Sequence, residues 1–478
     1  MCGHETGRDR QPRLGRRAFL AAAGAAVVPS AARAHETPTG TPTDTPAGAT
    51  NATATTGTPD DGAGGRGFEP LGSVAVPAPK EAVVGDEGRT AFVAVSEEDA
   101  TADSPDPGFV TVDVSDPAAP AVLASVTNIC ADRADGPLEN IFDVKLDGDR
   151  LAVVGPANAQ QDALEALVLF DVSDPAAPER VAVYETDHPI HNCFFADRLV
   201  YLTDNETGSL VVVDASDDDP TAVSRWSILD HDERWRAVPP QLRVLHDVWV
   251  QDGIAYLAQW DAGTWLVDVS DPADPSYVAR VGGQPREELA ALQDGAAFRE
   301  SILPPGNVHY VSITEDGSVL GVGLESWGIE ESDGSVVGGP SGIELWDISE
   351  PAAATRLATI QPPPSPDPTF GGVYTTAHNF EFAGGRLYSS WYRGGVRVHD
   401  VRDPANPREL AAWRDADTTS FWTARLAVPD GFFVAPSRRN PSTEDATGGL
   451  YTFPADEESL AAASTRGTTP VPTAATGG

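Results

Sequence analysis

The chain has 478 residues, enough for two or three average domains or one large repeat domain. It carries 72 acidic against 32 basic residues, a formal net charge of −40. A surface this acidic repels nucleic acid and anionic lipid headgroups at long range, so no nucleic-acid partner is expected.

In chain order, residues 1–34 read as an export signal. Gly15-Arg16-Arg17-Ala18-Phe19-Leu20 is a twin-arginine motif, with the apolar run Ala18–Val28 after it and Ala32-Arg33-Ala34 as a small-x-small cleavage site. The apolar run is too short to span a bilayer and no second one follows, so the mature chain is expected without a transmembrane anchor. Export by the twin-arginine (Tat) pathway delivers folded protein to the cell surface or beyond. Only Lys80 and Lys145 are lysines, so arginine supplies nearly all the positive charge. Lysine depletion beside such an acid excess resembles the secreted proteins of halophilic archaea. Residues 35–67 are a Thr/Pro/Gly/Ala tract that cannot bury a core and reads as a disordered stalk. Residues 461–478 read as a disordered tail. With Cys2 lost in the signal, Cys130 and Cys193 remain, and their spacing does not establish a disulfide.

Between stalk and tail, residues 68–460, one pattern recurs. Phe109–Asp113, Leu167–Asp171, Leu210–Asp214, Thr264–Asp268, Ile343–Asp347 and Val396–Asp400 are β-rich runs closed by Asp. The octet DVSDPAAP follows the same plan at Asp113–Pro120 and Asp171–Pro178, and DVSDPADP at Asp268–Pro275. Upstream of each run lie two more strand-like segments joined by a tight turn, as at Asp252-Gly253. One unit is four antiparallel strands, a to d, at the spacing of a propeller blade. First strands near Glu81, Asn140, His191, His246, His309, His378 and Phe421 give seven blades: an all-β, seven-bladed β-propeller. The segment Glu69–Val76 reads as an orphan fourth strand that completes blade seven by pairing the chain ends, with Leu460–Ala463 as the alternative.

The Asp-closed runs and the S-D-P-x-x-P turn after them resemble the LVIVD-repeat family of β-propellers, over about residues 68–458. The resemblance implies a fold and attaches no general chemistry. In the octet, Asp and Ser accept from nearby backbone N–H groups and proline ends the strand, so it reads as a c–d turn. The acids lack the alternating spacing of a calcium loop.

The blade pattern puts a–b and c–d turns on a lower rim and b–c and d–a connections on an upper one. The long insertions, 127–139, 227–245, 282–308 and 361–377, are all d–a connections. Binding concentrates on such loops. Within them Arg286–Ile302 has a helical pattern that would lie over the rim as a lid. Four successive blades open strand a with histidine: His191, His246, His309 and His378. Cys193 follows His191 by two, which on an extended strand gives the same direction. Converging imidazoles suit copper, zinc or iron, so these five residues are candidate metal ligands. Against this, a residue repeated once per blade first of all suggests a repeated structural job. Loop residues Glu206, Trp260, Asp261, Glu325, Trp327, Trp391, Tyr392 and Arg393 are candidate ligand-binding residues around the same mouth. His231 and His399 fall outside the register and are expected to face solvent.

Two functions follow. One is an exported binding module that engages an extracellular protein, a glycan or a small ligand through its upper rim. The other is a metal-dependent oxidoreductase, by analogy of fold and histidine content with the selenium-binding protein/methanethiol oxidase family. No phosphate loop, nucleophile elbow or H-E-x-x-H motif is present.

Overall fold

The computed structural model describes residues 68–96, 106–160, 162–438 and 448–466. The expected export signal, the expected stalk and the last twelve residues of the expected tail lie outside the described residues. The rest is all-β: seven four-stranded antiparallel sheets, one per blade, plus a short hairpin between Gly328–Glu330 and Val336–Gly338. Among the described residues, no helix is long and apolar enough to cross a membrane.

The inner strands begin at Pro79, Asp143, Ile190, Asp247, Asn307, Phe380 and Arg425, each within a few residues of its expected start. In blade seven, Gly449–Pro454 stands where the Asp-closed run is missing, and Gly72–Ala75 pairs with it as the outermost strand. Leu460–Ala463 is not a strand. It lies in the helix Glu457–Arg466, and Leu460 and Ala463 join the apolar cluster that holds Phe453 and Val398. The reason is an acidic first turn (Glu457, Glu458) followed by small helix formers.

Strands b and c are buried on both faces because each sheet is sandwiched between neighbours. One apolar cluster joins Ala152, Val154, Leu167 and Leu169 of blade two to Ile190, Cys193, Val200 and Val211 of blade three. Each Val, Leu or Ile among them contributes about 1.5–3 kcal/mol by leaving water. Cys130 belongs to a different cluster, with Phe109, Leu138 and Ile141, and both thiols are free. Burial raises both thiol pKa values. A small disulfide reagent is therefore expected to label neither until the chain unfolds; stoichiometric labelling of the native protein contradicts this.

Each octet is a c–d turn. The hydroxyl and N–H of Ser115 donate to Asp113 Oδ1 (2.6 and 2.9 Å), and Ala118 N donates to Asp116 Oδ1 (3.0 Å). The same bonds recur at Asp171/Asp174 and Asp268/Asp271. The a–b turns are as short as 252–253, where Asp252 and Gly253 both take positive φ (52° and 76°), the backbone a two-residue hairpin needs. On the opposite rim the connections lengthen. The segment 282–306 carries the helices Arg286–Leu289 and Asp294–Ile302, and Leu289 and Ala297 anchor them on Trp235, Leu242 and Trp265. This helical insertion is packed into the core cluster through those two residues.

Candidate functional site at the channel mouth

The four histidines do converge, and they converge as part of something larger. Lys80, Phe142, His191, His246, His309, His378 and Trp422, one from each blade, form a closed ring. Ring centroids step 5.6 Å from Phe142 to His191, then 4.3, 3.9 and 4.9 Å along the histidines, and 4.3 Å from His378 to Trp422. Lys80 Nζ closes the gap, 4.4 Å from the Trp422 ring and 4.6 Å from Phe142, a cation–π arrangement on both sides. All seven are buried. The blade-two member is Phe142, two residues past the expected strand start at Asn140.

In three of the blades a backbone bulge positions the ring member. In blade three, Ile190 pairs with Asp204 and Cys193 with Leu202, so His191 and Asn192 together face Thr203. Thr203 Oγ1 accepts from Asn192 N (3.0 Å) and donates to Asn192 O (2.9 Å), which satisfies the bulged backbone. Register shifts at the same place in blades one and five do likewise. The bulge corrects one expectation. Alternation no longer holds between His191 and Cys193, so Cys193 turns into the apolar inter-blade cluster, fully buried, away from the other four candidates.

Three histidines have a shared structural job, as the repeat suggested. His191 Nδ1 bonds Ala157 O (2.9 Å), His246 Nδ1 bonds His309 O (2.8 Å) and His378 Nδ1 bonds Trp422 O, each on a neighbouring blade. A carbonyl only accepts, so each Nδ1 carries the hydrogen and each neutral ring keeps its lone pair on Nε2. Burial holds His191 down to about 4 and His246 and His378 well below the ordinary imidazole range. His309 differs. Its Nε2 lies 3.1 Å from His378 Nε2, and its Nδ1 lies 3.1 Å from Glu325 Oε2 without hydrogen-bond alignment. Tyr392 donates its hydroxyl to Glu325 Oε1 (2.7 Å). Burial works to raise Glu325, but His309, His378 and Tyr392 outweigh it and hold the carboxyl down to about 2.

Below the ring sits a second layer that sequence reasoning missed. The residue after each ring member is Glu81, Asp143, Asn192, Asp247, Tyr310, Asn379 or Thr423, all buried. Glu81 of blade one accepts from Asn379 Nδ2 of blade six (2.6 Å) and Arg425 Nε of blade seven (3.1 Å). Lys145 pairs with Asp143, which also accepts from Cys193 N (2.7 Å). Burial raises Glu81, yet Arg425, Lys145 and Asn379 more than reverse it, leaving its pKa lowered. Asp247, lacking such a cation in contact, is raised well above its usual value by burial. The available signal was positional: a polar residue directly follows the ring member in every blade.

The remaining candidates divide. Glu325 and Tyr392 join the histidines. Trp260 lies 6.5 Å from His246, with its Nε1 lacking a hydrogen-bond partner. Neighbouring Asp261 is buried with both carboxylate oxygens unpartnered, and burial with Glu300 pushes it up to about 8. Trp327 is half-buried against Phe370, and Glu206 is exposed on its b–c loop. Trp391 is core, donating to Ser389 Oγ (2.9 Å), and Arg393 is committed to the carbonyls of Gly372 and Ala416 (both 2.8 Å). His231 is exposed as expected, stacked on Tyr277. His399 is not: it lies buried in strand c of blade six, where burial holds it down to about 3.

The LVIVD repeat model matches residues 88–128 and 244–282, parts of blades one and four. Among curated proteins, none matches the chain. Among solved structures, the Cps50 (Swd1) β-propeller domain of Myceliophteria thermophila is similar at 10% identity and a TM-score of 0.52, over 81% of this chain and 99% of that one. A Bacteroides uniformis protein provisionally described as a 6-phosphogluconolactonase follows at 12% identity and a TM-score of 0.48, over 71% and 86%. Such identities speak to fold alone. The chain carries LVIVD repeats on a seven-bladed β-propeller.

Proposed function

We propose that the chain is an exported binding module, of haloarchaeal type, that engages an extracellular protein, glycan or small ligand through its upper rim. The observation that carries this is the asymmetry of the rims. Lower connections are nearly uniform, with c–d turns of six (215–220) or seven residues (114–120). Upper connections vary from 205–208 to the helical segment 282–306. A rigid ring that varies its loops on one side only is built to present that side. The twin-arginine motif, small-x-small site and acid excess support export into a salty medium, where screening relieves self-repulsion.

A photo-crosslinking residue at Glu206, on the upper rim, is expected to trap the partner in native-host medium. The same probe at Ala118, in a lower-rim octet, is expected to trap nothing. Trapping from Ala118 and not from Glu206 contradicts the reading.

A further inference from the structure

The geometry points to a transition-metal site at His309, Glu325 and His378, taking one divalent ion of the zinc, copper or iron class. This goes beyond the rim-binding reading and stands apart from it, since a metal-free propeller could still bind through its loops.

Four observations carry it. First, one ligand atom from each of the three residues lies within 4.8 Å of the other two, and all three are buried. His191, His246 and Cys193 fall outside that group, so the expected five-residue centre contracts to two of its histidines plus Glu325. Second, the two facing Nε2 atoms are 3.1 Å apart. Metal–nitrogen bonds of about 2.0–2.1 Å put neighbouring ligand atoms roughly 3 Å apart, so little movement is needed to share an ion. Third, His378 Nε2 offers a bare lone pair, because its Nδ1 hydrogen is held by the Trp422 carbonyl. That bond, and the Tyr392 hydroxyl on Glu325, are the supports that orient metal ligands from outside. Fourth, His309 is the one histidine of the ring whose nitrogens meet only side chains, His378 and Glu325, leaving it free to ligate.

Two imidazoles and one carboxylate suit a borderline transition ion better than calcium or magnesium, which prefer oxygen. Three protein ligands leave a coordination position open. The Glu325 side chain keeps 12% of its surface exposed and His309 8%, so the set is not sealed from solvent. The competing arrangement is a direct hydrogen bond between the two Nε2 atoms, with no ion.

The test uses the full chain, stripped with chelator and titrated with Co²⁺ in molar KCl to suppress weak binding to the acidic surface. Calorimetry is expected to show about one tight ion per chain, with visible cobalt absorption from nitrogen ligation. His378→Gln and Glu325→Gln are expected to abolish the tight phase and the absorption, with far-UV circular dichroism unchanged; His191→Gln is expected to retain both. Wild-type protein with no tight ion overturns the proposal, as does a folded H191Q variant that loses the ion as completely as H378Q does.

Discussion

Glu81→Ala is expected to cost about 3–5 kcal/mol of folding stability, read as a shift in the denaturant midpoint at constant slope. Glu81 is fully buried and joins three blades: its own, blade six through Asn379 and blade seven through Arg425. Removing the carboxylate leaves the Arg425 guanidinium buried over Tyr310 (5.7 Å) without its hydrogen-bonded anion. An orphaned buried charge costs more than the pair was worth. Removing both partners in Glu81→Leu/Arg425→Met is therefore expected to cost less than the two single changes added together. The pH dependence has a definite sign. The folded pKa of Glu81 is lowered, so its contribution is present above the ordinary glutamate value and is lost as pH falls through the folded one. A single change within about 0.5 kcal/mol of wild type contradicts the network.

Asp261→Asn is expected to do the opposite and stabilise the protein at alkaline pH. Folded Asp261 holds its proton up to about 8, whereas the ordinary value is 3.8. Between these limits the unfolded chain binds fewer protons than the folded one. Stability attributable to this carboxyl therefore falls as pH rises through that window, by up to about 1.4 kcal/mol per pH unit. Above it, the folded protein carries a buried charge with no hydrogen-bond partner on either oxygen. The amide cannot ionise. Denaturation should therefore find the variant on the order of 2–4 kcal/mol more stable than wild type at about pH 9 and close to it at about pH 4. An equal offset at both pH values contradicts the assignment.

The blades were legible because a propeller repeats its chemistry. Asp113, Asp171 and Asp268 make the same bonds in the same turn, so their sequence recurs, and the octets assign the lower rim. The ring was half legible. Four members are histidine and catch the eye, but Lys80, Phe142 and Trp422 do the same geometric job with other side chains. What they share is position at the start of strand a, and that position has no residue signature here. The blade-three bulge explains Cys193: two positions past His191 means the same face only where alternation is unbroken. Glu325 was placed near the histidines from its b–c loop. That it, and not His191 or His246, completes a set with His309 and His378 depends on side-chain placement across blades: Glu325 ends strand b of blade five, beside His309. His399 shows the limit from the other side, since strand c has no solvent face in a stacked blade.

The octet acids serve as turns, and the upper mouth is where a bound ion is expected. Anomalous diffraction at the zinc, copper and iron edges, on crystals of protein from the native host, tests it most directly. One peak bounded by His309, Glu325 and His378 is expected, with none at Asp116, Asp174 or Asp271. A mouth without a peak, or metal bound among the octets, would contradict it.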